Sequence, residues 1–183
     1  MNAGKNIEAT FCFVDIAGYT ALTDLHGELA AANLVDDFSQ LVRTAVEPAG
    51  RIHELIGDCA FLVFDEPIAA RRALATLYAL IADRRDFPVV RAGLHHGVAL
   101  MRANRYFGST INTAARVAAQ ATGGEILCTQ QTAALLARSP DPAIDVIHRR
   151  SVRPKNLPQP IDLFELVLPG VSRHGALDTV CNL

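Results

Sequence analysis

Apolar residues along the chain follow the periods of strands and helices in turn. Residues 7–14 are rich in β-branched and aromatic side chains and stop abruptly at Asp15, which predicts a buried strand. Apolar side chains then recur three and four positions apart up to Ala45, the spacing of an amphipathic helix, and Pro48 and Gly50 would end it. The chain therefore opens with a strand followed by a helix.

Two short strand-like runs follow this helix and are separated by Gly57 and Asp58. The runs cover residues 51–55 and 60–64, and the glycine between them predicts a hairpin with a tight turn and an acidic residue at its tip. A second helix over 67–81 begins with a proline, which is tolerated there because the first amides of a helix are unpaired.

The rest of the chain alternates between the same two kinds of element. The pattern predicts strands over 89–94, 98–101, 125–129 and 161–167, and helices over 109–121 and 130–137. The opening order β-α-β-β-α-β is that of the ferredoxin-like fold, an α+β arrangement with helices on one face of an antiparallel sheet. We predict one domain over residues 7–168, a short tail over 1–6 and a loosely ordered tail over 169–183.

Composition and charge restrict the kinds of partner. The 183 residues carry a formal net charge of −2, so no broad basic surface is expected for nucleic acid or anionic lipid. No apolar run approaches the roughly 20 residues that span a bilayer, and the N-terminus lacks the hydrophobic region of a signal peptide. The four cysteines are far apart, which fits reduced thiols better than disulfides. We expect a cytoplasmic protein without a nucleic-acid or membrane partner.

Two aspartates are predicted to meet at one end of the sheet. Asp15 follows the first strand, Asp58 lies at the hairpin tip, and the fold makes these strands neighbours. Paired carboxylates need a compensating cation, and hard oxygen ligands favour Mg²⁺ or Mn²⁺ over zinc. The alternative for each residue is structural, since aspartate is common at helix caps and in Gly-Asp turns.

Two further segments carry groups that suit a phosphorylated ligand. The turn after Asp15 directs several backbone amides outwards and can hold phosphate, through Ala17, Gly18, Tyr19 and Thr20. Asn112 and Arg116 are four residues apart, so both project from one face of the predicted helix, where an amide and a guanidinium can act on one ligand. An isolated surface pair bound to water is the alternative.

Together these segments resemble the class III adenylyl and guanylyl cyclases. Residues 13–20 (FVDIAGYT) resemble the first metal motif of that family, 56–58 (IGD) the second, and 107–116 (FGSTINTAAR) the segment with its transition-state Asn and Arg. The three motifs occur in order, and the resemblance extends over residues 7–167.

The resemblance implies a function for each of these residues. Asp15, Asp58 and the carbonyl of Ile16 would hold two Mg²⁺ or Mn²⁺ ions that activate the ribose 3′-hydroxyl and neutralise the triphosphate. Asn112 would orient the ribose, and Arg116 would stabilise charge at the α-phosphate. The expected reaction converts a nucleoside triphosphate into its 3′,5′-cyclic monophosphate and pyrophosphate.

The resemblance also implies a phosphate-binding lysine and a homodimer. Lys155 resembles the family's phosphate-binding lysine, although Asn156 stands where the family usually has glycine, and a solvated surface lysine is the alternative. In the family the metal aspartates come from one subunit and the Asn and Arg from the other. One copy of the domain therefore implies a homodimer with two symmetric sites.

The residues expected to recognise the base depart from the adenylyl cyclase pattern. That pattern has Lys and Asp where this chain has Glu54 and Arg105. Glu54 resembles the guanylyl cyclase residue and Arg105 can donate to guanine, yet the same pair can also serve adenine. ATP is favoured over GTP on family frequency alone, pyrimidine triphosphates stay open, and the two residues could instead pair with each other across the dimer.

Two other functions compete with a cyclase. A degenerate cyclase-homology domain would bind nucleotide or a partner without catalysis, but it would be expected to lose its metal carboxylates early. A polymerase palm or diguanylate-cyclase-like domain also uses paired carboxylates, but the latter would carry a Gly-Gly-Asp/Glu-Glu-Phe-like hairpin, which residues 56–59 (IGDC) do not match.

Overall fold

A computed structural model describes residues 4–47, 49–139, 145–153 and 160–168. The strands are β1 (Lys5–Ile16), β2 (Arg51–Ile56), β3 (Cys59–Phe64), β4 (Val90–Arg102), β5 (Arg105–Phe107), β6 (Ile126–Thr129), β7 (Asp145–Val152) and β8 (Ile161–Val167). The helices are α1 (Tyr19–His26), α2 (Glu28–Val46), α3 (Pro67–Ala82), α4 (Ser109–Gln120) and α5 (Gln130–Ala137). No helix in these ranges is long and apolar enough to cross a bilayer.

The strands form one eight-stranded sheet that contains the predicted ferredoxin-like core. Its order is β2-β3-β1-β4-β6-β8-β7, with β5 paired to β4. The first four strands are antiparallel neighbours, which confirms the βαββαβ topology. The sheet differs from the predicted antiparallel one in one strand pair, because β6 pairs with β4 in parallel. Strands β8 and β7 then extend the sheet with antiparallel pairing.

The alternation of side chains along β1 divides the core between the two faces of the sheet. Cys12 and Val14 contribute to the larger buried cluster, which α2, α3 and α5 cover. Phe11 points the other way into a smaller cluster that includes Ala114 of α4. The core helices therefore lie on one face as predicted, whereas α4, which follows the βαββαβ unit, covers the opposite face.

Several element boundaries differ from the prediction for physical reasons. The two strands predicted over 89–94 and 98–101 are one continuous strand, β4 (Val90–Arg102), because Gly97 does not end it but gives room to Thr110 of α4. The short helix α1 buries no residue and so has no apolar stripe to reveal it. The strand β7 was not predicted either, since within the described ranges it pairs with β8 alone and all of its side chains are at least partly exposed.

Candidate active site

The two aspartates lie side by side where β1 and the β2–β3 hairpin end. Asp15 pairs in register with Cys59, and the Ile16 amide donates to the Asp58 carbonyl at 3.1 Å. Burial raises the pKa of Asp58, and the neighbouring carboxyl group of Asp15 raises it further. The structure thus brings together the two carboxylates that the sequence placed at this point.

An arginine that the sequence analysis missed completes this cluster. Arg91 lies opposite Asp15 on β4, and its Nε and Nη2 atoms donate to Asp15 Oδ2 at 2.9 and 2.5 Å. Its Nη1 atom donates to the Ala121 carbonyl at 3.4 Å, just beyond α4. The available signal was a charged residue inside the otherwise apolar run over 89–94.

The donor set suits a hard divalent cation. Within the described ranges, His, Cys, Asp and Glu side chains do not form any group of three or more that could hold a metal ion by itself. Asp15 and Asp58 would therefore bind together with the Ile16 carbonyl, water and substrate oxygens, the incomplete protein coordination that Mg²⁺ accepts. The raised pKa of Asp58 supports this fit, since two adjacent carboxylates need a cation to remain ionised together.

The turn after Asp15 offers amides for phosphate, with one exception among the predicted residues. Gly18 has φ 74°, a left-handed conformation that glycine favours, and starts α1. The amides of Tyr19 and Thr20 lie in the first turn of this helix, where amides lack intrahelical partners. The Ala17 amide already donates to Val89 O at 2.9 Å, so it is occupied. Lys155 lies outside the described residues.

Helix α4 presents Asn112 and Arg116 away from the sheet. Both residues are two positions from Ala114, which is fully buried against the sheet, so each lies about 160° around the helix from it. Asn112 is exposed and Arg116 half-exposed. Within the described ranges neither side chain has a hydrogen bond or ion pair. The two residues are near each other on the helix surface, but they do not face the aspartates of their own chain.

A β-bulge determines where Glu54 lies. A regular β2 would place Glu54 opposite Ala60 on the side of the larger core, but His53 is an extra residue that shifts Glu54 opposite Phe61. The His53 ring is held edge-on between Phe61 and Tyr106, with both centroid distances 4.9 Å. Glu54 is exposed as a result, on the same face of the sheet as Asp15 and α4.

Arg105 lies on the other face of the sheet. Its neighbour Tyr106 packs against Phe11, so alternation along β5 turns Arg105 and Phe107 to the opposite side. The Arg105 guanidinium lies 5.9 Å from the Phe107 ring centroid in a cation–π arrangement. The structure does not bring Glu54 and Arg105 together within the described part of one chain.

Comparisons with known proteins identify the family to which the chain belongs. The family model described as adenylate and guanylate cyclase catalytic domain matches residues 1–159. The chain is 29% identical over 143 residues to a pH-sensitive adenylate cyclase of Mycobacterium tuberculosis, covering 76% of this chain and 36% of that protein. It is 31% identical over 117 residues to an adenylate cyclase of Streptomyces griseus, covering 63% of this chain and 29% of that protein. The chain thus spans about a third of the length of these curated relatives.

Solved structures show the same fold. A structure of adenylate cyclases from Trypanosoma brucei in their monomeric state matches with a TM-score of 0.80 at 21% identity, covering 90% of this chain and 92% of that chain. The guanylyl cyclase Cya2 matches with a TM-score of 0.75 at 18% identity, covering 96% and 98%. With the family model matching most of its length, the chain belongs to the adenylate and guanylate cyclase catalytic domain family.

Proposed function

We propose that this chain is a homodimeric nucleotidyl cyclase that converts ATP into 3′,5′-cyclic AMP and pyrophosphate. The observation that carries the proposal is the orientation of α4. Asn112 and Arg116 point away from the sheet, whereas the Asp15 carboxylate lies at the C-terminal end of β1, a central strand of the same chain. This orientation supports a site in which the groups that act on one nucleotide come from two chains.

In the proposed reaction the ribose 3′-oxygen attacks the α-phosphorus. The new bond joins O3′ to the α-phosphorus, the bond from that phosphorus to the bridging oxygen breaks, pyrophosphate leaves, and the 3′-hydroxyl proton passes to solvent. Divalent ions held by Asp15, Asp58 and the Ile16 carbonyl would supply Lewis-acid activation of the 3′-hydroxyl and neutralise the triphosphate.

The remaining residues of the proposed site position the nucleotide. The first-turn amides of α1 at Tyr19 and Thr20 would bind phosphate oxygens of the same chain's half-site. From the partner chain, Asn112 would hold the ribose so that O3′ faces the α-phosphorus, and Arg116 would stabilise the negative charge that develops there. Lys155 is proposed as a further phosphate ligand.

Symmetry gives such a dimer two identical sites. Each chain would supply the aspartates of one site and the α4 residues of the other, and a monomer would be inactive. The exposed position of Asn112 fits this arrangement, because a side chain turned to solvent in one chain is available to the next.

ATP is the proposed substrate because the curated relatives compared above are named as adenylate cyclases. The base would be recognised by Glu54 as hydrogen-bond acceptor and Arg105 as donor, with the second chain bringing the two together or completing the pocket. The cytosol is the proposed location, since nucleoside triphosphates are available there and Cys12, Cys59 and Cys128 are unpaired thiols.

The direct test is a product assay on the purified chain with Mn²⁺ or Mg²⁺ and each of ATP, GTP, CTP and UTP supplied separately. Mass identification of cyclic AMP as the main product would support the proposal. A different cyclic nucleotide as the main product would support the proposed cyclisation reaction but not ATP as its substrate. No product from a chain shown to be dimeric would instead favour a non-catalytic nucleotide-binding domain.

A mixing experiment tests the shared site. Asp15→Ala and Arg116→Ala should each abolish activity, because each removes one component from both sites. Mixing the two variants should restore activity, since half of the mixed dimers' sites then combine an intact Asp15 with an intact Arg116. If folded mixed dimers stay inactive, the site lies within one chain.

A further inference from the structure

We infer that a cavity at the other end of the sheet from the two aspartates binds a small zwitterion of short-peptide size, with an ammonium group at one end and a carboxylate at the other. The cavity lies between the start of α3 and the end of α5, over β1 and β4, and has a volume of about 910 Å³. This volume is within the range of small-molecule sites. The proposed cyclase reaction does not use the cavity.

The cavity is separate from the candidate active site. Glu8 of β1 lines it, and Asp15 follows seven residues later on the same strand, about 23 Å away. Alternation along β1 turns Glu8 to the same face as Cys12, which belongs to the larger core, and turns Asp15 to the opposite face. A ligand in the cavity would therefore not compete with a nucleotide bound at Asp15.

A buried histidine holds one acidic group at the floor of the cavity. His96 on β4 is 7% exposed, and its Nδ1 atom shares a hydrogen bond of 2.9 Å with Thr10 Oγ1. The other ring nitrogen, Nε2, lies 3.4 Å from Glu8 Oε1. The backbone amide of His96 donates to Thr132 Oγ1 on α5 at 2.9 Å. The ring is thus fixed between two strands and a helix, and it places the Glu8 carboxylate at the cavity.

Charges of both signs line the cavity without pairing with one another. Glu66 precedes α3, Arg72 lies on α3, and Arg138 follows α5. All three residues are exposed, and within the described ranges none of their side chains makes a hydrogen bond or an ion pair. Six residues separate Glu66 from Arg72, which is about 9 Å along the helix axis. These charges are too far apart to pair directly, but a molecule with two charged ends can contact both.

This arrangement assigns the two ends of the ligand. The ammonium group would bind between Glu8 and Glu66, and the carboxylate between Arg72 and Arg138. Asp65 also lines the cavity, but it is already paired with an arginine outside it. A ligand of one sign fits less well, since an anion would meet the two carboxylates and a polyamine would meet the two guanidinium groups.

Hydration of these charges by water alone is the competing explanation, and calorimetric titration with oligoglycines decides between the two without turnover. Glycine and its oligomers up to pentaglycine carry the same two charged ends at increasing separation, about 3.5 Å per residue. Triglycine, which spans about 10 Å, should bind more tightly than the shorter and longer members. N-acetyl-triglycine and triglycine amide each lack one charge and should bind about 10-fold more weakly or worse.

Three substitutions and a matched control locate the binding site. Arg72→Gln, Arg138→Gln and Glu66→Gln should each weaken the binding of triglycine by about 10-fold or more. The variants should remain folded, since Glu66 precedes α3 without a side-chain hydrogen bond to the helix. Arg84→Gln is the control, because Arg84 is also exposed but pairs with Asp37 outside the cavity. This variant should bind triglycine as the unchanged chain does.

Each outcome decides for or against the inference. If none of the five compounds from glycine to pentaglycine binds at about 10 mM, the charges of the cavity are only hydrated and the inference is wrong. It is also wrong if spermidine or inorganic phosphate binds while triglycine does not, or if Arg72→Gln and Arg138→Gln leave triglycine binding unchanged. Binding of triglycine to a chain that makes no cyclic nucleotide would reject the proposed cyclase and support the inference.

Discussion

The closest packing of α4 on the sheet provides a sharp test of how the site is assembled. A Cβ atom added at Gly93 would lie 2.0 Å from the Ala118 amide nitrogen and 2.3 Å from its Cα atom. These are helix backbone atoms, so no side-chain rotation can relieve the contact. Because non-bonded carbons prefer about 3.5 Å, Gly93→Ala would force α4 to move by roughly 1.5 Å.

That displacement should affect catalysis more than folding. Overpacking of this kind typically costs about 1–3 kcal/mol of stability, which a chain of this size can tolerate. Asn112 and Arg116 move with α4, and a misplacement of about 1 Å in positioning groups can lower a rate by about 100-fold. We therefore expect Gly93→Ala to remain folded with kcat reduced by about two orders of magnitude.

The measurement pairs turnover with urea unfolding, and Gly97→Ala is the matched control. A Cβ at Gly97 would meet the Thr110 Cγ2 atom at 3.1 Å, a side-chain contact that needs only a small shift. This control should lose less than about threefold in kcat. Wild-type kcat and stability in Gly93→Ala would refute the reasoning, because α4 could then not be seated as closely as the structure has it.

Two other predictions concern pH and base recognition. Burial lowers the pKa of His95 from 6.5 to about 4, and the neighbouring His96 contributes to this shift. Between these pH values the unfolded chain binds more protons than the folded chain, so the free energy of unfolding should fall as the pH drops from 6.5 towards 4. Urea titrations should show a loss of about 1–2 kcal/mol after allowing for partial exposure, and a flatter pH profile in His95→Gln would support the assignment to His95. The double replacement Glu54→Lys and Arg105→Asp installs the adenylyl cyclase pattern. The ratio of kcat/KM for ATP to kcat/KM for GTP should then rise by about 10-fold or more. An unchanged ratio would mean that these two side chains do not contact the base.

The fold could be predicted from the sequence where buried apolar side chains recur at the spacing of a strand or a helix. The strand β1 and the helix α3 are buried enough to show their patterns, and the order of elements then selects the ferredoxin-like topology. The helix α1 and the strand β7 bury too little to show one. Gly97 suggested a break in β4, because the sequence does not reveal that a helix will pack across a strand at that residue.

The candidate site was predictable as far as chain topology determines it. Neighbouring strands bring Asp15 and Asp58 together, and a spacing of four brings Asn112 and Arg116 together on α4. Arg91 was missed because its partner lies 76 residues away in sequence and is identified only by the strand register. The separation of Glu54 from Arg105 depends on a bulge and on alternation along a three-residue strand, neither of which has a clear sequence signal.

The bulge in β2 is a point where the strand could change length without changing its pairing with β3. His53 is the extra residue of the bulge. Its loss would leave Ile52 opposite Leu62 and Glu54 opposite Phe61, so the pairing on either side of the bulge would be unchanged. What would be lost are the edge-on contacts of the His53 ring with Phe61 and with Tyr106, the residue next to Arg105. A change of strand length at this position would therefore alter the surroundings of the two residues proposed to recognise the base, Glu54 and Arg105, and leave the pairing of β2 with β3 intact.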